Sequence, residues 1–215
     1  MMVTTASSIG DLSRNRLLQG LVVWYVLVWV VLAIAPFDRS DWLLENVLAV
    51  CTVAVLVATY RKFPLSDLSY VLITIFMTLH AVGAHYTYAE VPLGFWLKDA
   101  LGLSRNHFDR IVHFAFGLLL AYPIREVLIR RAGVREWWSY LLAVTMVQAC
   151  SDFFEIIESW VAQLVNPDLG AAYLGTQGDE WDAQKDMTAA FAGALLAVLI
   201  TLAARGFYQR NKIGE

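Results

Sequence analysis

The sequence predicts an all-α polytopic membrane protein, a bundle of six transmembrane helices with both termini in the cytoplasm. Of its 215 residues 59% are hydrophobic and only 16% are charged, whereas about a quarter of the residues in soluble domains are charged. A hydrocarbon core roughly 30 Å thick needs about 20 apolar residues per helix, so this length leaves room for five to seven spans. Residues 1–215 are therefore predicted to form a single integral-membrane domain.

The predicted spans are six apolar segments: Leu17 to Ala35, Leu43 to Tyr60, Leu68 to Ala84, Asp109 to Ile129, Trp137 to Trp160, and Asp182 to Ala204. The first follows two arginines and ends in Ala33-Ile34-Ala35, as a cleaved signal peptide would. Its apolar run is longer than the roughly 7 to 15 residues of a signal core, so we expect it to remain as the first helix. The two longest connections are 86–108 and 161–181.

The distribution of Lys and Arg predicts the orientation. With the N-terminus inside, eleven of the sixteen fall on the cytoplasmic side: Arg14, Arg16, Arg61, Lys62, Arg125, Arg130, Arg131, Arg135, Arg205, Arg210 and Lys212. The other five fall on the opposite side: Arg39, Lys98, Arg105, Arg110 and Lys185. By the positive-inside rule, both termini are cytoplasmic and both long connections face the periplasm or cell exterior. We therefore expect a multi-pass protein of the inner (cytoplasmic) membrane.

Charge and cysteine content exclude other classes. A net charge of −3 without a basic stripe argues against nucleic-acid binding. Cys51 and Cys150 lie in apolar runs and have neither disulfide-framework nor metal-ligand spacing. No small-x-x-x-small pair on a lipid-facing surface predicts an oligomeric state. The predicted environment is the lipid bilayer.

Polar residues within the spans are the main functional signal, because each ionisable side chain there costs roughly 2.5 to 3.5 kcal/mol on insertion scales. In the fifth span, Gln148, Asp152, Glu155 and Ser159 are spaced i, i+4, i+7 and i+11, which predicts one stripe facing the bundle interior. Glu158 is predicted to be interfacial. Two acids in a single span are hard to explain by packing alone.

Three other helix ends bring polar residues to the same predicted depth. Asp109 and His113 lie one turn apart at the start of the fourth span. Asp179, Asp182 and Asp186 follow one another at the start of the sixth, and His80 and His85 end the third. Taken alone, Asp109 with His113 also fits an interhelical hydrogen-bonded pair, and Asp179 and Asp182 also fit helix caps. Gly193 is interpreted as a close-packing position.

Three explanations account for so many acids: a bound cation, shared protons, or ion pairs with Arg105, Arg110 and Lys185. We favour a divalent cation, because mixed imidazole and carboxylate ligands suit zinc, manganese or iron, and carboxylates alone suit magnesium or calcium. The predicted metal ligands are His85, His113, Asp109, Asp179, Asp182 and Asp186. Glu155 and Asp152 are the predicted catalytic residues, with Glu155 as general base. Arg105 and Arg110 are predicted to bind an anionic substrate group, or alternatively to anchor the chain at headgroups.

The segments HAVGAHYTYAEVP, SRNHFDRIVHF, SDFFEIIE and especially LGTQGDEWDAQKDM resemble the YjdF family of bacterial inner-membrane proteins, a family of unknown function. The resemblance runs from the second span to the sixth, and implies the fold and the membrane location. A second resemblance, confined to the last three spans, is to VanZ-type proteins, which are implicated in glycopeptide resistance. Its carriers are Asp109, His113, Phe114, Glu155 and Asp186 with Gly193. The chain departs from that pattern at 187–190, where VanZ-type sequences tend to carry an Asn.

Four functions follow as hypotheses. The first is a metal-dependent hydrolase acting on a lipid or envelope substrate, because a metal lowers the pKa of bound water to about 7. The second is a non-catalytic VanZ-like protein that binds an amphiphilic small molecule or confers resistance. An ion or proton carrier would need acids along the whole bundle, whereas these are confined to one end. A membrane scaffold leaves the acids of the fifth span unexplained.

Overall fold

The computed structural model describes Leu12 and residues 15–213, which, apart from Leu12 and the connections, form eight helices. They are α1 (Arg16–Leu32), α2 (Arg39–Tyr60), α3 (Asp67–His85), α4 (Pro92–Leu101), α5 (Phe108–Arg130), α6 (Glu136–Leu164), α7 (Pro167–Leu174) and α8 (Asp182–Ile213). Within the described ranges there is no strand. Arg14, which entered the charge count above, lies outside them.

Among the residues that the structure describes, five helices are long and apolar enough to cross a membrane: Arg39–Tyr60, Asp67–His85, Phe108–Arg130, Trp137–Leu164 and Asp182–Phe207. The prediction of an all-helical, polytopic membrane protein is thus confirmed, and five of the six predicted spans meet these criteria. The exception is α1, which is apolar but has only 17 residues. It ends at Leu32 rather than Ala35, because Ala35 has a positive φ of 47° and precedes Pro36, which disfavours helical geometry in the residue before it.

Helix caps move several predicted boundaries. The side chain of Asp38 accepts hydrogen bonds from the backbone N–H groups of Ser40 and Asp41, so α2 begins at Arg39 rather than Leu43. This earlier start places Asp41 inside the helix. The fifth predicted span is longer than expected, since α6 continues to Leu164. The predicted start of the last span at Asp182 agrees with α8.

The two long connections contain short helices that the sequence analysis did not predict. Pro92 opens α4, and Gly102 ends it in the left-handed conformation with φ of 63°. Leu93, Trp96 and Leu101 on α4 are each more than half exposed, as expected of a helix that lies at a membrane interface. The other helix, α7, packs against α6 and α2.

At the centre of the bundle, α5 packs against α3, α6 and α8, and its contact with α8 is the closest approach. A Cβ atom added to Gly117 would lie 1.9 Å from the carbonyl oxygen of Ala190, and one added to Gly193 would lie 2.1 Å from that of Phe114. The interpretation of Gly193 as a close-packing position is confirmed. These glycines hold the two backbones together, which brings the starts of α5 and α8 side by side.

The other end of α5 carries one well-supported carboxylate, Glu126. Its Oε1 accepts a hydrogen bond from the backbone N–H of Ser66 at 2.8 Å. The hydroxyls of Ser66 and Ser69 donate to Oε2 at 2.7 and 2.5 Å. Arg130, one turn further on, also pairs with Glu126. This carboxylate therefore joins α5 to the start of α3, and both of its oxygens accept hydrogen bonds.

Candidate metal centre

The candidate site lies at the end of the bundle where α2, α5 and α8 begin and α3 and α6 end; we call this the polar end. Two connecting segments meet there, 105–110 before and within α5 and 175–182 before α8. The guanidinium of Arg105 donates to the carbonyl oxygens of Gly175 and Thr176 at 3.1 and 2.7 Å, and to Asp182 Oδ1 at 2.5 Å. Arg105 is only 8% exposed, so its hydrogen bonds hold the two segments together inside the protein.

Asn106 forms further hydrogen bonds between the same two segments. Its backbone N–H donates to Gln177 Oε1 at 3.1 Å, and Gln177 Nε2 donates back to the Asn106 carbonyl at 2.9 Å. The Asn106 side-chain amide donates to the carbonyls of Ala89 and Val91, and its oxygen accepts from the N–H of Phe108. Gly94 of α4 packs directly on it, since a Cβ there would lie 1.7 Å from Asn106 Oδ1. Three of the four segments that carry the family resemblance are thus in contact with one another.

Arg110 pairs with Asp179 and Asp182, just before and at the start of α8, and Lys185 pairs with Asp179. Arg110 Nη2 lies 2.5 Å from Asp179 Oδ2 and 3.1 Å from Asp182 Oδ1. Lys185 Nζ donates to Asp179 at 2.7 Å. The hydrogen bond from Lys185, with those from the Trp181 N–H and Arg110, holds the pKa of Asp179 well below its usual range. Ion pairing, one of the three explanations proposed from the sequence, therefore describes Asp179 and Asp182.

His107, the residue just before α5, accepts a hydrogen bond from Arg110. Its Nδ1 lies 3.0 Å from Arg110 Nη1, and because a guanidinium can only donate, Nδ1 accepts. Burial and then the positive charges of Arg110 and Arg105 lower the pKa of His107. The imidazole is thus kept neutral, as an acceptor for Arg110 requires.

A different set of side chains forms the candidate metal centre. Asp109 and His113 of α5 and Asp186 of α8 each offer one ligand atom, and these atoms all lie within 4.8 Å of one another. His113 Nε2 is 3.7 Å from Asp109 Oδ1 and 3.4 Å from Glu155 Oε1 of α6. Ligand atoms bound to one zinc at about 2.0 to 2.2 Å lie about 3 to 3.5 Å apart, so a cation requires only a small contraction of this group.

The second ring nitrogen of His113 has its own partner. Nδ1 lies 3.4 Å from the hydroxyl of Ser151, which is 2% exposed. A contact of this kind holds the ring orientation of a metal-binding histidine and leaves the other nitrogen for the ion. Nε2 accordingly faces the carboxylates.

Two oxygens of this group accept no hydrogen bond from any residue that the structure describes: Glu155 Oε1 and Asp186 Oδ1. The nearest positive group to the latter is Arg110 Nε, at 3.8 Å, which is beyond hydrogen-bonding distance. Asp186 is 2% exposed and His113 is 7% exposed. Buried polar atoms are nearly always hydrogen-bonded, so unpartnered oxygens on two acids beside His113 indicate a place for a cation or a proton.

Some predicted site residues lie elsewhere. His85 Nδ1 donates to the carbonyl oxygen of Leu32 at 2.7 Å, so this ring joins α3 to the end of α1. Asp152 accepts from Gln148 Nε2 at 2.6 Å. The structure does not bring either residue into the group around Asp186, and their roles as ligand and catalytic residue stay predictions. The same holds for Asp179 and Asp182 as ligands and for Arg105 and Arg110 as substrate-binding residues, since each is engaged in the ion pairs described above.

The inward face of α6 is also rotated from the predicted one. Ser159 is exposed, so its placement on the inward stripe is wrong. Glu158, predicted to be interfacial, is only 9% exposed. The buried positions are instead Val147, Ser151 and Glu158, because an i, i+4, i+7 and i+11 pattern fits two neighbouring helical faces.

Two buried acids on α2 were missed by the sequence analysis. Asp41 is 1% exposed and Glu45 is 3% exposed, and both lie at the polar end. Their signal was present, since two acids and Asn46 are costly in an apolar segment. The predicted span began at Leu43, which excluded Asp41 and made Glu45 a lone residue near a helix end.

The comparisons with known proteins agree with this fold. Residues 17–206 match the family of predicted membrane proteins DUF2238. The chain is 40% identical over 174 residues to the inner membrane protein YjdF of Escherichia coli (strain K12), an alignment that covers 80% of this chain and 83% of that protein. No solved structure gives a significant match. The chain therefore belongs to the DUF2238 family of predicted membrane proteins.

Proposed function

We propose that the protein binds one divalent transition-metal ion through Asp109, His113 and Asp186, at the periplasmic side of the inner membrane. The observation that carries the proposal is the convergence of these three ligand atoms within 4.8 Å, next to unpartnered oxygens of Asp186 and Glu155. One imidazole with carboxylates suits zinc, manganese or iron better than calcium, and magnesium is the weaker candidate.

We further propose that the centre catalyses hydrolysis of a lipid or envelope substrate. A bound ion would lower the pKa of a nearby water, and Glu155, whose Oε1 lies 3.4 Å from His113 Nε2, would accept the proton of that water. The water oxygen would form a bond to the acyl or phosphoryl centre, the bond to the leaving oxygen would break with its electron pair, and the proton held by Glu155 would pass to that oxygen. Arg105 and Arg110 are occupied by Asp179 and Asp182, so binding an anionic substrate would require exchange of these partners.

Burial of the ligands favours a second candidate. Asp186 and His113 are almost inaccessible, and a closed site suits a structural metal in a non-catalytic, amphiphile-binding protein of the VanZ type, because a catalytic metal needs an open position. The two candidates differ in whether Glu155 matters for turnover. They share the metal ligands.

The first experiment is elemental analysis of detergent-purified protein after loading with zinc, manganese, iron or magnesium. We expect close to one ion per chain in the wild type and in Glu126→Gln, the matched control at the other end of α5. We expect none in the double variant His113→Ala, Asp186→Asn. No ion in a folded wild-type protein under any loading would contradict the proposal.

The second experiment separates the two candidate functions. Metal-loaded wild type and Glu155→Gln are incubated with vesicles of phosphatidylglycerol and phosphatidylethanolamine, and released products are identified by mass spectrometry. Hydrolysis by the wild type only, with metal retained in both proteins, supports the enzyme. Binding of lipid without turnover by either protein supports the non-catalytic candidate.

The orientation is part of the proposal and has its own support. The polar end carries only the five Lys and Arg residues assigned outside, and Arg105, Arg110 and Lys185 among them pair with aspartates. We also propose that α1 is a sixth span, shorter than the rest. A cysteine at Trp96, which is 64% exposed, should react with a membrane-impermeant maleimide added outside intact cells, in a background where Cys51 and Cys150 are serine. A cysteine at Arg131 should not.

A further inference from the structure

A cavity of about 450 Å³ lies between α1, α2 and α3, at the end of the bundle opposite the polar end. Its walls come from the first turns of α1 and α3 and from the last turns of α2. The volume is within the range of roughly 300 to 1,000 Å³ that small-molecule sites occupy. None of the proposed metal ligands lines this cavity, so it is a separate place for a ligand.

The packing of α1 and α2 explains why the cavity exists. Toward the polar end the two helices touch, since Trp29 Nε1 donates to Asn46 Oδ1 at 2.5 Å and the rings of Trp29 and Trp42 lie 5.6 Å apart. Elsewhere each helix packs on α3, and Trp24 Nε1 of α1 donates to Thr78 Oγ1 of α3 at 3.2 Å. The cavity is the space left between α1 and α2 beyond their contact, with α3 as its floor.

The walls of the cavity are mostly apolar. They include Leu18 and Val22 of α1, Val53 and Val57 of α2, and Met77 of α3. Two of the three helices, α2 and α3, are long and apolar enough to cross the membrane, so the cavity lies beside bilayer lipid. A polar solute would lose its hydrogen bonds to water there, whereas a hydrocarbon chain would not. The walls therefore favour a lipid acyl chain.

One polar atom in the wall has no protein partner. Tyr25 lines the cavity, and its hydroxyl is buried without a hydrogen bond to any residue that the structure describes. Buried polar atoms nearly always have a partner, and a phenol hydroxyl can donate to a carbonyl oxygen. A ligand in this cavity is therefore expected to bring an acceptor, such as the ester carbonyl at the start of a lipid acyl chain.

Unpaired positive charge lies where α2 ends. Arg61, the residue after α2, lines the cavity, and Lys62 follows it. Both are exposed, and neither pairs with an acid in the described part of the chain. Asp67, at the start of α3, accepts from Asn15 at 3.0 Å instead. Basic side chains just outside a membrane span attract anionic headgroups, so this charge complements a lipid phosphate.

We propose that the cavity binds one anionic glycerophospholipid of the phosphatidylglycerol type, from the leaflet away from the polar end. One acyl chain lies between α1 and α2, the Tyr25 hydroxyl donates to an ester carbonyl, and Arg61 and Lys62 bind the phosphate. In the proposed orientation this is the cytoplasmic leaflet. The site is thus distinct from the metal centre and from any substrate that the metal centre binds.

The test is native mass spectrometry of the full chain, delipidated in detergent and titrated with phosphatidylglycerol. We expect one saturable bound lipid. Phosphatidylcholine with the same acyl chains has no net charge and should bind at least about 5-fold more weakly. Val53→Trp should fill the cavity and abolish binding. Val55→Trp, also on α2 but outside the cavity, is the matched control and should bind as the wild type does.

Two further substitutions test the polar contacts. Arg61→Gln should weaken phosphatidylglycerol binding about 5-fold, the factor that one basic residue near a membrane surface contributes. Its control is Arg131→Gln, which is exposed at the same end but does not line the cavity and should have no effect. Tyr25→Phe should weaken binding of both lipids about 5-fold, the factor for one hydrogen bond, because both carry the ester carbonyl.

Three results would overturn the proposal. They are equal lipid binding by Val53→Trp and Val55→Trp, equal affinity of the wild type for the two lipids, and a wild-type dimer that Val53→Trp dissociates, which would place a second copy in the cavity. If Val53→Trp does not fold, wild-type affinity in both Arg61→Gln and Tyr25→Phe overturns it. His113→Ala should bind phosphatidylglycerol as the wild type does, so the lipid site and the metal centre stand or fall separately.

Discussion

Glu126 of α5 and Asp186 of α8 have side chains that are only 8% and 2% exposed, but they lie at opposite ends of the bundle and differ in their partners. Glu126 receives hydrogen bonds from the backbone of Ser66 and from two serine hydroxyls, and pairs with Arg130. Asp186 Oδ1 has no hydrogen-bond donor among the described residues. The chain can therefore satisfy a buried acid where the acid has a structural role. At the polar end it does so for Asp182, which pairs with Arg105 and Arg110, but not for Asp186.

This difference indicates what the polar end is for. A buried polar atom left without a partner costs roughly 1 to 3 kcal/mol, and more if it is charged. Glu155, Asp186, Asp41 and Glu45 all carry such atoms. These four acids lie at the same end of the bundle, which is the reason for proposing a cation there and none near Glu126.

Glu126→Ala should give the largest change in stability. It leaves the buried hydroxyl of Ser69, the N–H of Ser66 and part of the Arg130 guanidinium without their acceptor, and we expect a loss of about 2 to 3 kcal/mol in the free energy of unfolding. Denaturant unfolding in detergent, followed by circular dichroism, measures it. Exposed Glu180→Ala is the control and should change stability by less than about 0.5 kcal/mol. Equal effects of the two substitutions would mean that Glu126 is not a structural carboxylate.

Metal binding at the polar end should raise the free energy of unfolding by a similar amount. At a free ion concentration one hundred times the Kd, linkage gives about 2.7 kcal/mol. We expect the unfolding midpoint of wild type and Glu126→Gln to rise on adding the ion, and that of His113→Ala to stay constant. A rise in His113→Ala as large as in the wild type would place the ion elsewhere.

The sequence predicted the acids of α5, α6 and α8 because each lies in or beside an apolar segment, where its insertion cost is visible. Burial of Asp186 and the contact of Asp109 with His113 follow from spacing on a helix. The depth of a residue in the membrane can thus be predicted from its position along a span. The same rule, applied to α2 with its true start at Arg39, would have found Asp41 and Glu45.

Rotation about the helix axis and docking of the connections were not predictable in this way. His85 and Glu155 lie at similar depth, yet His85 turns toward α1 while Glu155 turns toward α5. The hydrogen bonds from Arg105 to Gly175 and Thr176 join segments some 70 residues apart in sequence. No local pattern encodes that pairing, so arginines assigned to substrate binding were found in ion pairs with two predicted metal ligands.

Asp186→Asn should have opposite effects with and without the ion. In metal-free protein it removes an uncompensated buried charge while preserving shape, and we expect stability to be unchanged or to rise by about 1 kcal/mol. With metal present it should remove most of the stabilisation by the ion. Unfolding curves of wild type and variant, each measured with chelator and with metal, test both signs. Destabilisation of the metal-free variant would show that Asp186 has a structural partner comparable to those of Glu126.

Lys185→Gln should give the smallest change in stability, because Lys185 lies at the exposed edge of the polar end. The Lys185 side chain is 50% exposed, and its bond to Asp179 is of the solvent-screened kind, so we expect an effect within about 0.5 kcal/mol that disappears at high salt. Arg110→Gln is the matched comparison, because Arg110 is 21% exposed and also approaches Asp186 to 3.8 Å. Removing that charge should tighten metal binding, since it leaves the ligands more negative, whereas Lys185→Gln should leave the Kd unchanged. A tighter Kd in both variants would show that the metal centre senses the general positive charge around it rather than Arg110 alone.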